Sequence, residues 1–429
     1  MSGEDMGTKG KWTTLTYIAA HNNLDDYGTR SAQQILSVGS DANVRHGVLL
    51  DLQDGATRFV AGSSGNRADE EHLSDYDSGD PGRLIETAKW VFDKHPADHY
   101  ALILWSHGTG WQPNEIRSVA EKVHGASELE TGEDRALIRG SRVLFRTSLA
   151  GMLAPESSAE RAILFDDGTG HALDTLQLGN VAKELSEFVG QKLDLIGMDA
   201  CLMGSIEVAH QLHKYAAYMV ASEELVPAQS WPYDSIFNQL KLVPDMTARV
   251  LANIIVERYI TYYTHHKPPF NSGDVTKIAL DLSKTATFVA AMRTLSQVLI
   301  ETMPQALACL EQAQTDTYFE ETYDELRINN KFGYHLWDII SMARHLSENC
   351  DVGAVKDAAT KILQSFTDSG MVIRSDHRGP WFDHIGGLSV YWIPPKKAQT
   401  RHIAEAYAKV DFAQDASWHA MLEAYRYSE

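Results

Sequence analysis

Short apolar, β-branched runs alternate with amphipathic stretches through the first part of the chain. Residues 13–20 read as a first strand, and the polar loop His21-Asn22-Asn23-Leu24-Asp25-Asp26 follows at its carboxyl end. Residues 29–38 keep helical spacing. Residues 47–52 form a second buried strand, Asp54-Gly55 marks a turn, and residues 57–61 read as its hairpin partner. Residues 62–80 are polar and Gly-rich, hence a loop. Asp80-Pro81 opens a helix, with Asp as cap and Pro in the first turn, and Leu84, Ile85, Ala88, Val91 and Phe92 share one face.

A strand over residues 100–105 then stops at Ser106-His107-Gly108. After a break, Ile163-Leu164-Phe165 resumes the strand pattern. A helix carries Leu178, Val181, Ala182, Leu185, Phe188 and Val189, and a second apolar run ends at Asp199-Ala200-Cys201. A helix from about Met203 and a strand over residues 218–222 follow. Strand and helix alternating in this way predict an α/β fold with a mostly parallel sheet flanked by helices.

Residues 112–160 interrupt the rhythm with a charged insertion containing Arg117, Lys122, Arg135, Arg139, Arg142 and Arg146. So long an irregular segment inside a domain is functional or disordered. The character changes at His265-His266-Lys267-Pro268-Pro269. Beyond it, residues 288–303 and 355–366 read as helices and residues 387–393 as one late strand. The division expected is a flexible start at 1–10, a catalytic-type domain at 11–266, and a mainly helical, mixed region at 267–429.

Composition narrows the function. Of 429 residues, 44% are hydrophobic and 22% charged, an ordinary globular balance. The net charge of −20 argues against nucleic acid as a partner, because phosphate binding needs clustered Lys and Arg; it would steer basic substrates inward instead. No apolar stretch approaches the roughly 20 residues that cross a bilayer. The start lacks the apolar centre of a signal peptide, so the chain reads as cytoplasmic. Three cysteines without a CxxC pair suggest neither a disulfide framework nor a structural zinc site; Cys309 and Cys350 read as structural or incidental. His265-His266 reads as a solvated boundary, since consecutive side chains diverge.

The candidate chemistry sits where two strands end. In α/β sheets, ligands gather at the carboxyl ends of strands. A thiol after an apolar run is commonly a buried small hydrophobe, and a histidine at a strand end is commonly just hydrogen-bonded. Together, His107-Gly108 and Asp199-Ala200-Cys201 supply a base and a nucleophile at one sheet edge. The N–H groups of Gly108 and Cys201 could hold an oxyanion, and a helix start after Cys201 would favour thiolate. Asp199 either caps the turn or faces a substrate's cationic side chain. Glu223, Glu224, Trp231 and Asp234 either wall that pocket or are ordinary loop residues.

These strings resemble the clostripain family of cysteine peptidases, with the caspase-like fold shared with gingipains, legumain and separase. The matching stretches are residues 17–24, Leu104-Trp105-Ser106-His107-Gly108-Thr109-Gly110-Trp111, Asp199-Ala200-Cys201-Leu202-Met203 with Glu207, Ala221-Ser222-Glu223-Glu224, residues 387–391 and Trp418. The resemblance implies a His107–Cys201 dyad, Asp199 in the primary specificity pocket, protein or peptide substrates cut after Arg or Lys, and self-cleavage within 112–160. No cofactor is needed for such chemistry, although several members use calcium. His21 departs from the acid expected in its string, and Ala228-Gln229-Ser230 departs from a Gly-rich turn. The competing readings are a non-catalytic scaffold with this fold, or a peptidase of Asn or Asp specificity.

Overall fold

The computed structural model describes residues 9–63, 65–108, 163–166, 168–266, 275–316, 335–393 and 401–428. Its centre is a nine-stranded sheet in the order β10-β8-β7-β6-β5-β1-β2-β3-β4. The strands are β1 (Gly10–Ala19), β2 (Val44–Leu52), β3 (Gly55–Ala61), β4 (Arg67–Leu73), β5 (Ala97–Trp105), β6 (Leu193–Asp199), β7 (Ala216–Ala221), β8 (Val275–Asp281) and, after the short β9 (Leu336–Asp338), β10 (Val372–Arg378). Strands β2, β1, β5, β6 and β7 run parallel, while β3 then β4 at one edge and β8 then β10 at the other are added by antiparallel pairing, so only β3 and β8 run against the rest.

The central strands are nearly continuous apolar runs because both faces are covered. Helices Pro81–Lys94, Thr175–Val189 and Ile206–Leu212 pack in one row; Asp25–Val38, Tyr233–Leu242 and Ala248–His265 pack in another. Their starts follow local chemistry. Asp80 accepts from the Arg83 N–H ahead of Pro81, and Asp174 with Gln177 makes a reciprocal capping box.

Two expectations need correction. The stretch 62–80 contains strand β4, whose polar residues pair with β3 at an exposed edge, so apolar alternation never flagged it. Ile163-Leu164-Phe165 is no strand: Ile163 alone makes isolated bridges, to Gly108 and Leu173, and Leu164 is left-handed at φ 62°. The insertion at 112–160 lies outside the described residues.

The boundary near 266 falls within one continuous sheet. Beyond it, β8 and β10 complete the sheet begun by β1, and one apolar core spans both parts. The rest of that region is mainly helical, with β9 paired to β11 (Ser389–Tyr391). Buried Glu207 ties it down: its Oε1 accepts from the Tyr391 N–H at 2.9 Å and the Tyr407 hydroxyl at 3.0 Å. The indole N–H of Trp418 donates to the Tyr391 carbonyl at 2.7 Å. Cys309 and Cys350, read as structural or incidental, are structural, and their pairing corrects the expectation of no disulfide framework. They form a disulfide across 41 residues, where helices Thr285–Asp316 and Ile339–Asn349 pack together.

Candidate active site

The strand order turns outward in both directions from the β1–β5 pair. Carboxyl-end loops part at such a switch point and leave a crevice. Three loops meet there. Register pairs Ile18 of β1 with Trp105 of β5, and Trp105 with Asp199 of β6. Two residues past that rung stand His107 and Cys201, on neighbouring strand ends. Contact between the loops is close. A Cβ on Gly108 would collide with the Cys201 carbonyl oxygen and come within 3.0 Å of the Ala200 Cβ, so glycine is required there.

His107 and Cys201 are 6% and 5% exposed. The imidazole Nε2 lies 2.7 Å from Asn23 Oδ1 on the β1 loop. A carbonyl oxygen only accepts, so Nε2 carries the proton and Nδ1 is left as the basic nitrogen. Burial lowers the His107 pKa to about 3, which keeps the ring neutral. The Cys201 Sγ accepts from the Val226 N–H at 3.2 Å. Burial raises its pKa to about 11, only partly offset by that N–H. The expected helix-dipole activation of the thiolate is corrected. The next helix begins at Ile206, capped by Ser205, and the intervening turn carries Leu202 at φ 62°. Dipole effects fade within one turn, so desolvation prevails.

Asp199 is 3% exposed. Its Oδ2 accepts from the Ser230 hydroxyl, the Trp231 N–H at 3.0 Å and the Tyr233 hydroxyl at 2.9 Å. Its Oδ1 is buried with no hydrogen-bond partner among the described residues. Burial raises its pKa, and nearby Lys277 opposes the rise. Lys277, at the start of β8, was missed at the sequence level. It is wholly buried, with its Nζ 5.0 Å from the Trp231 ring centroid and 4.0 Å from that of Tyr259. Desolvation brings its pKa down to about 7. The available signal was a lone cation inside the apolar run 275–280.

The other wall residues fare differently. Trp231 is buried and forms the floor under Lys277. Glu224 is buried close enough to raise the Cys201 pKa, and its carbonyl accepts from the Leu202 N–H. Glu223 is buried near Asp338; burial, and then the Asp338 and Glu224 carboxyls, hold its pKa well above the usual range. That makes it a tie between the β7 end and β9. Asp234 is exposed in the first turn of its helix, with Oδ1 accepting from the Ser235 N–H. His265 and His266 are exposed, as expected of a solvated boundary.

A sequence model of the clostripain family matches residues 16–135 and 151–425. Clostripain from Hathewaya histolytica is 39% identical over 90 residues, a match that spans 19% of this chain and 16% of that protein. The fold resembles the X-ray structure of a secreted C11 cysteine protease from Bacteroides thetaiotaomicron in complex with an irreversible peptide inhibitor. The TM-score is 0.63 at 18% identity, covering 96% of this chain and 100% of that one. An inactive zymogen C11 protease from Parabacteroides distasonis gives 0.60 at 18% identity, covering 95% and 99%.

Proposed function

The chain belongs to the clostripain family of cysteine peptidases, and on that premise we propose that it is an endopeptidase cutting after Arg or Lys through an acyl-enzyme on Cys201. The observation that carries this reading is the shared rung of Trp105 and Asp199, with His107 and Cys201 two residues beyond it. In the resting site both groups are neutral. As the thiol attacks the scissile carbonyl, His107 Nδ1 takes its proton, and Asn23 steadies the opposite N–H. The Gly108 and Cys201 N–H groups would hold the oxyanion. The imidazolium then protonates the leaving amine, and water attacks the thioester with His107 again as base. The chemistry needs no cofactor.

The preference for a cationic side chain rests on charge. Asp199 and Glu224 face the thiol with Lys277 between them in sign, a surplus of one carboxylate. The Asp199 Oδ1 supplies an acceptor without a donor among the described residues. A buried unpaired charge is costly, so a cationic partner is favoured. Substrates are proteins or peptides, and the net charge of −20 disfavours polyanions. No helix among the described residues is long and apolar enough to cross a membrane. The Cys309–Cys350 disulfide is the chemistry of an oxidising compartment, which weighs against the cytoplasmic reading. Self-cleavage would fall within 112–160. Residues 136–150, absent from the family match, hold Arg139, Arg142 and Arg146.

The test is covalent labelling. A peptidyl acyloxymethyl ketone ending in Arg should add one inhibitor mass on Cys201, and Cys201→Ala should take none. Labelling of another residue, or of none, refutes the assignment and favours the scaffold reading.

A further inference from the structure

A second cluster lies on the other side of β1. His21 follows β1, Asp51 lies on β2, and Asp166 lies on the segment between Ile163 and Leu173. Each offers a ligand atom within 4.8 Å of those of the other two. The backbone fixes this meeting: Asp51 is the register partner of Ala19, and its carbonyl accepts from the Ala20 N–H at 2.9 Å.

The side chains are held as ligands are held. His21 Nδ1 is 3.5 Å from Asp166 Oδ1. The His21 ring packs so tightly on Gly168 that a Cβ there would strike it. Asp166 is oriented by N–H groups of Gly168 at 2.8 Å and Thr169 at 3.1 Å on Oδ1, and of Ser78 at 3.1 Å on Oδ2. Outer contacts of this kind fix ligand direction. Asp51 supplies the independent sign. It is 1% exposed, and its Oδ2 has no hydrogen-bond partner among the described residues. An orphaned carboxylate oxygen at that depth is costly, and a cation between the three groups would satisfy it.

We propose that His21, Asp51 and Asp166 bind one divalent ion of the zinc class, and that the ion positions the loop carrying Asn23. The donor set decides the class. Calcium takes six to eight oxygens, and one imidazole with two carboxylates does not fit it. Zinc takes nitrogen and oxygen donors together, at arms of about 2.0–2.2 Å. Tetrahedral arms of that length set ligands roughly 3.3–3.6 Å apart, which the His21–Asp166 pair already meets. The calcium implied by the family resemblance is therefore not the ion for this cluster.

The ion would bind together the pieces that frame the base. Asn23, two residues after His21, receives the His107 N–H. Asn22 Nδ2 donates to the Phe165 carbonyl at 2.8 Å, one residue before Asp166. Ile163 on the same segment bridges Gly108. The three ligands would act through Asn23 and the segment at Asp166, so they are positioning residues.

The test uses full-length Cys201→Ala protein, which cannot cut itself, stripped with a chelator. Equilibrium dialysis with metal analysis should give one zinc ion per chain, bound at least tenfold more tightly than calcium, with a raised melting temperature. His21→Ala and Asp51→Asn each remove a ligand and should weaken zinc by more than the roughly 10–100-fold that loss of an outer-shell partner costs, while a His265→Ala/His266→Ala double variant binds as before. His21→Asp should shift the preference from zinc toward calcium. Should His21→Ala fail to fold, His21→Gln gives the same comparison. No zinc uptake, calcium bound more tightly than zinc, or zinc binding unchanged in both ligand variants overturns the proposal.

Discussion

Trp105 and Asp199 are register partners on adjacent parallel strands, and this single rung sets where the proposed chemistry would occur. Both strands stop there, and each chain then runs two residues to a reactive side chain. Cys201→Ala should abolish peptide hydrolysis with the fold retained. His107→Ala should lower kcat by roughly 10²–10⁴-fold, the usual worth of a general base. Hydrolysis rates with circular dichroism on the same samples check both, and an active Cys201→Ala protein would dismiss the dyad.

In the proposed mechanism Asn23 acts on the reaction through His107, whose Nε2 it holds at 2.7 Å. Without its carbonyl the ring can turn or change tautomer, so Asn23→Ala should cost about 10- to 100-fold in kcat with little change in KM. Asn23→Asp should restore part of the rate and move the acid limb of the pH–rate profile upward, because a carboxylate stabilises the imidazolium. A merely structural role would leave that limb in place.

Much of this was legible in the residues because burial and strand ends leave strong marks. The parallel strands are apolar runs, Asp80-Pro81 announces its helix, and His107-Gly108 and Asp199-Ala200-Cys201 stand where runs stop. What stayed hidden depends on distant pairing. Nothing local tells β4 from a loop, since its partner β3 supplies the hydrogen bonds. Nothing local joins Cys309 to Cys350, or sets Asn23 against His107 across 84 residues. Lys277 lies near enough to Cys201 to lower the thiol's pKa only because β8 pairs antiparallel to β7.

Self-processing is expected within residues 112–160, the charged, Arg-bearing insertion between the strands that lead to His107 and Cys201. Freshly made wild-type protein should convert to two chains on incubation, while Cys201→Ala stays whole. Mass spectrometry of the new termini should find Arg139, Arg142 or Arg146 at the cut. A wild-type chain that remains single yet fully active excludes this route.

Stability should fall in mild acid through buried imidazoles. His46 is fully buried, stacked on Phe237, and burial holds its pKa at about 3 against 6.5 when unfolded. Between those values the unfolded chain binds the extra proton. Stability attributable to His46 is therefore full above pH 6.5 and lost as pH falls, about 2 kcal/mol by pH 5. Comparing urea midpoints of Cys201→Ala with and without His46→Gln, from pH 7.5 to 5, isolates this contribution. Identical slopes in the two proteins would mean that His46 is not held neutral.

Specificity turns on how Asp199 is satisfied. Its Oδ2 is spent on Ser230, Trp231 and Tyr233, which pin the loop after β7; only Oδ1 remains for a substrate. Lys277, whose positive charge burial weakens, already opposes the rise of the Asp199 pKa. A substrate Arg brings a delocalised, weakly hydrated guanidinium that gives up less hydration on donating to that one oxygen, whereas Lys brings a strongly hydrated point charge that competes with Lys277 on equal terms, so Arg should exceed Lys. Lys277→Met removes the competing charge and keeps the apolar stem over Trp231 and Tyr259. It should raise kcat/KM for Arg and Lys substrates and narrow the gap between them. Asp199→Asn should lower kcat/KM for both, through KM as well as kcat, while leaving the thiol able to react with a small uncharged alkylating agent. The comparison is a panel of fluorogenic peptides differing only in the residue before the scissile bond. Faster cleavage after Asn, Asp or an apolar residue in the wild-type protein would show that the internal Lys277 has neutralised the pocket and that the acidic reading fails, with the dyad untouched.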